Sequence, residues 1–497
     1  MAAVLSARNL RVVLAAVCLL FAAAGVSELP AWGDTAGVPD VLVRPQPPRY
    51  FGLYFQGRKV GWMRLVRATP QPGFLDLETA TEFTLIVAGV RTEMRTVETR
   101  RYDLTTGKLF ELTYEMSGTT GSTRIRGTAE GDGIRLVTET GGRREEQKAT
   151  TSGETLADVL AVEAAILSGK KIEGTEIETR AFDPSIRKEL TTKHRLGGVE
   201  RRLVHGVPQI VRRVDAEVVG LNLPIVAWFG EDGEMLETLL AGFLKARWED
   251  ETQAKSGFSV ADFLDTSKAP VPTPLSGTEK ASRMVVVFAG VPQDLAVDDQ
   301  RQTWTTRPDG TRTLDVKRDA FDPKISPKLA AIDKQAFAKE LAAETHLQID
   351  DPRLRAKAAE LVRGAATTGE AAKRILDWVY ANVKKTYTPT FSNAAEAMQS
   401  LAGDCGEHAV LFVALCRAAG IPARETAGIV YAEEMEGFAF HAWAEVWAGR
   451  WVSADPSWGQ MPVDPTHVVF ARGGMAEQVR IIPLIGALRV REIRVEK

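Results

Sequence analysis

GDCGEHAVLFVALCRAAGIPAR, residues 403–424, carries two of the three cysteines in a chain of 497 residues. Cys405 is a nucleophile, a metal ligand or a small apolar residue at the head of a buried helix, and its neighbours decide which. Asp404 is a strong helix N-cap, and Glu407 three residues later completes a capping box. Cys405 then falls on the first helical position, where free N–H groups and the positive end of the helix dipole favour a thiolate. Ala409, Phe412, Val413 and Cys416 share one apolar face, and Gly420 with Pro422 stops the helix. The two cysteines therefore differ in kind. Cys416 reads as packing, whereas Cys405 stands at a polar, glycine-flanked helix mouth. Their helical separation of roughly 16 Å is beyond the reach of a disulfide, about 7 Å between Cα atoms.

A nucleophilic cysteine needs a base, and the base needs an orienter. Both are offered by FAFHAWAEVWAGRWVSADPSWG, residues 438–459. Phe438, Phe440, Ala442 and Ala444 alternate with Ala439, His441, Trp443 and Glu445, the pattern of a strand. Ala448-Gly449-Arg450 makes a hairpin turn, and Trp451 to Ala454 forms the return strand. Counting back from that turn sets Asp455 within about three positions of the residue opposite His441. A carboxylate beside the imidazole fixes its tautomer.

Three blocks of text, residues 403–424, FHAWAEVWAGRWVSADPSWGQ at 440–460 and PVDPTHVVF at 462–470, together resemble the transglutaminase-like superfamily, which has the papain-like fold. With the helices that precede them, the resemblance spans residues 325–497. It implies Cys405 as nucleophile, His441 as base and Asp455 as orienter, on a helix packed against an antiparallel sheet. It also implies an acyl-enzyme formed from an amide or ester and released to an amine or to water. The second oxyanion donor that such enzymes need is assigned to no residue, Trp378 and Gln399 being the nearest candidates. The chain has no D-x-[DN]-x-[DN]-G calcium loop, and no cofactor is expected.

Other residues around these blocks have plainer readings. His408, three residues after Cys405, makes a C-x-x-H half-site that with His441 and Asp455 or His467 has the ligand types of zinc; as a single residue it reads as part of the helix face. His467 and Asp464 read as structural, Glu445 as solvent-facing or salt-bridged, and Trp443, Trp447, Trp451 and Trp458 as hairpin packing or the lining of an acyl groove. His194, His205 and His346 have no partner legible in the sequence.

The rest of the chain sets the context. Arg8 and Arg11 precede an apolar run from Val12 to Val26, too short for a typical membrane span, with small-residue cleavage sites after it. This predicts a signal peptide over 1–24, cut no later than 33, and hence a secreted or periplasmic protein with no stable membrane span after cleavage. Residues 25–49 read as a linker. From Tyr50, short β-type runs turn at Gln56-Gly57, Thr106-Gly107 and Asp232-Gly233, with one helical insert that Thr155 and Asp158 cap and Gly169 ends. Residues 50–266 are thus expected as a curved antiparallel β domain, 267–282 as a second linker and 283–324 as a small β unit. Residues 325–497 follow as the catalytic domain, with helices capped by Asp351, Thr367 and Asn393. The fold class is α+β multidomain: a C-terminal transglutaminase-like (papain-like) domain preceded by antiparallel β domains. A net charge of −3 with scattered arginines gives no basic stripe, so nucleic acid is not expected as a partner. The expected partner is a peptide or protein substrate, drawn from the cell envelope if the compartment is the periplasm. Two alternatives stand beside catalysis: a non-catalytic protein that binds envelope peptide or polymer, and a zinc site at Cys405, His408 and His441.

Overall fold

The computed structural model describes residues 38–497 apart from 88–89, 119–120, 132, 141–142, 170–171, 186, 220–222, 243, 260–266, 345 and 387–392. The expected signal peptide, the start of the 25–49 linker and Cys18 lie outside the described residues. The described residues divide into two compact units, 38–259 and 267–497.

In the first unit the alternating text folds into one 14-stranded antiparallel sheet. Eight strands, from Gln46–Phe55 to Arg143–Thr150, run as a meander in one direction. Two short helices, Leu156–Val159 and Ala161–Leu167, follow behind the Thr155–Asp158 capping box. Six more strands, from Glu176–Asp183 to Leu244–Glu249, then meander back, and the last pairs with the first, Phe51 opposite Trp248. The driving pattern is visible in Leu109–Gly118, where Leu109, Leu112, Tyr114 and Met116 are buried and Phe110 and Glu115 exposed. Gln56 and Gly57 take φ of 47° and 80°, the left-handed pair that a two-residue hairpin turn requires. The sheet begins at Gln46 and is preceded by buried Val38 and Leu42, so the later part of the stretch expected as a linker is folded.

The second unit is built from two antiparallel sheets, a two-residue parallel pair (Lys384–Lys385 with Ala402–Gly403) and a group of helices. Its larger sheet has the order Ala269–Pro270, Gly437–Trp447, Ala423–Ala432, Val468–Arg472, with Trp451–Ala454 also paired to Gly437–Trp447. The smaller one runs Gln302–Thr306, Arg312–Lys317, Arg283–Ala289, Arg489–Glu496. Two expected boundaries are therefore crossed. The proline-rich stretch at 267–282 adds an edge strand to the larger sheet and is tied to it by Leu275 N–H to Tyr431 Oη at 2.8 Å. The small β unit at 283–324 is completed by Arg489–Glu496, some two hundred residues downstream.

The helices start where their caps predict. Asp351, Thr367 and Asn393 accept backbone N–H bonds at the heads of Pro352–Leu361, Thr368–Asn382 and Ala394–Ser400. These three helices and the Gly437–Trp447 and Ala423–Ala432 strands all pack against Cys405–Ala418. That enclosure overrides the amphipathic reading: every residue from Cys405 to Arg417 is buried. The polar members survive because each is paired. Arg417 donates to the carbonyls of Ala423 and Ala342 and to Glu344 Oε1, at 2.9, 2.7 and 2.8 Å.

Candidate active site

The cysteine helix begins in a tight polar knot. Asp404 is extended, and its Oδ1 accepts the Gly406 N–H at 2.7 Å. Glu407 Oε2 reaches back to accept the Asp404 N–H, also at 2.7 Å. Gly403 is required for that return, because a Cβ there would lie 2.3 Å from Glu407 Cβ. Cys405 is 6% exposed, and the Ala442 N–H donates to its sulfur. Burial, the Asp404 carboxylate and more distantly Asp455 and Glu407 push the thiol well above its ordinary range, against the Ala442 bond. The sequence expectation of a dipole-favoured thiolate is corrected here. Desolvation first, and then the carboxylates that shape the helix mouth, oppose ionisation of the sulfur.

His441 lies one residue before that amide, on a strand whose residues Gly437 to Val446 are all buried. The hairpin register pairs Ala444 with Ala454, which brings Asp455 diagonally across from His441. His441 Nε2 meets Asp455 Oδ2 at 2.8 Å, with both side chains inaccessible to solvent. Asp455 Oδ1 accepts from Ser457 N–H, Ser457 Oγ–H and Trp458 N–H at 2.7, 2.7 and 3.1 Å. Two backbone bonds between Asp455 and Gln460 close this turn. Burial alone would raise the carboxyl, yet the His441 and His467 partners outweigh it and hold Asp455 well below the usual carboxylate range. His441 Nδ1 is buried without a hydrogen-bond partner. The ring stacks on Trp443 at 5.9 Å and 21° and lies beside Trp458 at 5.6 Å.

A fourth group joins that sequence reasoning treated as structural. His467 Nε2 lies 3.2 Å from the same Asp455 Oδ2, and its Nδ1 lies 3.5 Å from Asp464 Oδ1, an ion-pair distance. Asp464 Oδ1 also accepts from Thr466 N–H and Oγ1–H at 2.8 and 2.6 Å. Thr466, His467 and Asp464 are fully buried. The only hint in the sequence was D-x-x-H placed before a strand, a spacing too common to decide anything.

The zinc alternative at Cys405, His408 and His441 is overturned. Both ring nitrogens of His408 face backbone carbonyls, with Nδ1 2.6 Å from Asp404 O and Nε2 3.2 Å from Val383 O. The ligand-type atoms of His441, Asp455 and His467 do fall within 4.8 Å of one another. A metal-bound imidazole, however, directs its other N–H to an acceptor, which His441 Nδ1 lacks. Two N–H donors on one carboxylate oxygen account for the spacing. Gln399 is occupied at the surface by Arg353, and Trp378 lies under Lys357 Nζ, so neither is drawn to the cysteine. Glu445 is buried between Arg424 and Arg472, at 2.8 and 2.9 Å, instead of facing solvent. His346 binds buried Glu425 at 2.6 Å, His194 meets Thr179 Oγ1 at 3.3 Å, and His205 packs on the Trp248 ring.

Residues 355–456 match the model of the transglutaminase-like superfamily, a span that ends one residue beyond Asp455. No curated protein matches the chain. Among solved structures it is similar to a candidate cysteine protease from Cytophaga hutchinsonii at 20% identity, with 44% of this chain and 85% of that one covered and a TM-score of 0.31. A β-barrel-like protein of a domain of unknown function from Brucella abortus gives 10% identity, coverages of 41% and 95%, and a TM-score of 0.31. The periplasmic domain of TgpA from Pseudomonas aeruginosa gives 17%, coverages of 36% and 88%, and 0.24.

Proposed function

We propose that this chain, which carries a transglutaminase-like domain at residues 355–456, is an exported cysteine-dependent acyl transferase or amidase that acts on peptide or protein amides. The observation that carries the reading is the position of His441. One nitrogen is held by Asp455 at 2.8 Å, and the other is free and buried, one residue from the amide that bonds the Cys405 sulfur. That is the tautomer a general base needs.

In this mechanism the neutral thiol gives its proton to His441 Nδ1 as Sγ bonds to the amide carbonyl carbon. Asp455 stabilises the imidazolium that results. The Cys405 N–H, at the helix start, donates to the oxyanion. The Nδ1 proton then passes to the leaving amine as the C–N bond breaks, which leaves a thioester. Water or a second amine, deprotonated by His441, attacks the thioester and releases Sγ. Trp458, half-buried beside His441, lines the approach to the acyl group. Catalysis is assigned to the domain over 325–497, with no cofactor, and the work is done outside the cytoplasm after loss of residues 1–24. Among the described residues, no helix is long and apolar enough to cross a membrane.

The test compares wild type with Cys405→Ala on a pool of envelope proteins supplied with an isotopically labelled amine, read by mass spectrometry. Amine incorporation identifies a transferase and new termini a protease, and either should vanish in the variant. Equal activity in Cys405→Ala contradicts the mechanism.

A further inference from the structure

The buried chain His441–Asp455–His467–Asp464 contains one more imidazole and one more carboxylate than a triad uses. We infer that His467, set between the Asp455 and Asp464 carboxylates, is a positioning residue that balances the charge of Asp455 beside His441 and so sets the pH range over which Cys405 is activated. This deepens the proposed function and rests on the Cys405–His441 reading given there.

The geometry supports it in three ways. His467 Nε2 and His441 Nε2 converge on one oxygen, Asp455 Oδ2, at 3.2 and 2.8 Å, so both must be donors. The remaining nitrogen of His467 faces Asp464 Oδ1 at 3.5 Å, a charge contact without hydrogen-bond geometry, so a carboxylate stands at each end of the ring. Asp464 is itself fixed, through Thr466 and through its backbone N–H to Gln460 Oε1 at 2.9 Å. The ring is enclosed edge-on by Trp443 and Trp458, at 5.3 and 5.4 Å. Burial alone would strip the proton from His467, but Asp464 first and Asp455 next outweigh it, and the imidazole is pushed above its ordinary range.

The other charges near the chain are few. Lys385, Cys405 and His408 feel Asp455, and Arg301 feels Asp464 and donates to its backbone carbonyl at 3.1 Å. His467 stands closer to His441 than a screened surface charge would, with ring centroids 5.9 Å apart. At an effective dielectric near 20, a unit charge at about 6 Å moves a neighbour's titration by about 2 units. A positive charge removed from this position leaves Asp455 unbalanced, and Asp455 already raises the Cys405 thiol, so the Cys405 proton becomes harder to lose.

The test is the pH profile of Cys405 alkylation by iodoacetamide, resolved by peptide mass spectrometry from about pH 5 to about pH 9, with fully buried Cys416 as internal control. His467→Gln keeps an N–H donor for Asp455 and removes the charge; its acid limb is expected to move up by about 1–2 units. Asp464→Asn, nearly isosteric, is expected to move it in the same direction by less, and it carries the test if His467→Gln does not fold. A residue with only a packing role would lower the thermal midpoint and leave the limb in place. Unmoved limbs in both folded variants overturn the inference. His441→Gln separates the two levels: if its profile equals that of wild type, the Cys405–His441 reading fails first and takes this inference with it.

Discussion

Two effects of a single residue compete at Cys405. Asp404 builds the helix start by accepting the Gly406 N–H, and its charge also opposes ionisation of the neighbouring sulfur. Asn is as good an N-cap as Asp but carries no charge. Asp404→Asn should therefore keep the fold and raise the alkylation rate of Cys405 near neutral pH by roughly tenfold, one unit of titration. A rate unchanged from wild type would mean that desolvation alone holds the proton. The capping role of Asp404 was legible in the sequence, since it depends on residues three apart. The electrostatic role was not, because it requires knowing that Asp455 and Glu407 act on the same sulfur and that the sulfur is buried. His467 illustrates the same limit. Its partners Asp464, Asp455 and His441 are three, twelve and twenty-six residues away, the last two brought to it only by the return of the chain at Val468 into the sheet.

The catalytic geometry depends on how closely the strands approach one another. Gly428 lies opposite His441 in the Ala423–Ala432 strand and opposite Val469 on its other side. A Cβ there would sit 1.9 Å from the Val468 carbonyl oxygen and 3.0 Å from Trp443 Cη2. Backbone cannot yield as a flexible side chain does, so the Val468–Arg472 strand would have to move and take His467 with it. Gly428→Ala should cost about 2 kcal/mol or more in urea denaturation and lower Cys405 labelling in the folded fraction. Wild-type stability would show that the strand pair is looser than this. The elements were largely legible: the caps at Asp351, Thr367, Asn393 and Asp404 and the turn at Ala448-Gly449-Arg450 are local signals. The pairing of Arg283–Ala289 with Arg489–Glu496 was not, because strand partners distant in sequence leave no periodicity to count. The all-round burial of Cys405–Ala418 was hidden for a related reason, since its Arg417, Glu407 and His408 look solvent-facing until their partners are in place.

Across the whole chain, the two units contribute differently to pH dependence. In the first, Glu98, Arg100, Tyr102 and Glu154 form a buried cluster in which Arg100 also donates to Phe182 O at 2.8 Å. Arg100 is shared between two carboxylates, so burial wins at Glu98 and pushes it up to about 7, and Glu98 Oε2 is left without a partner. A carboxyl raised above its unfolded value of about 4.3 adds stability that is complete below that pH and lost as pH rises through about 7. The thermal midpoint of the first unit should therefore fall by several degrees between about pH 5 and about pH 8, and Glu98→Gln should flatten that fall. An identical slope in the variant would assign the loss to another group. The second unit holds all the side chains of the proposed chemistry, and one measurement on the full-length chain tests that chemistry most directly: intact-mass and peptide analysis after brief exposure to p-nitrophenyl acetate. A single acetyl group is expected on Cys405, removed by hydroxylamine as a thioester, absent in Cys405→Ala and strongly reduced in His441→Gln. Acetylation of Cys405 at an equal rate in His441→Gln, or none on Cys405 in the wild type, would contradict it.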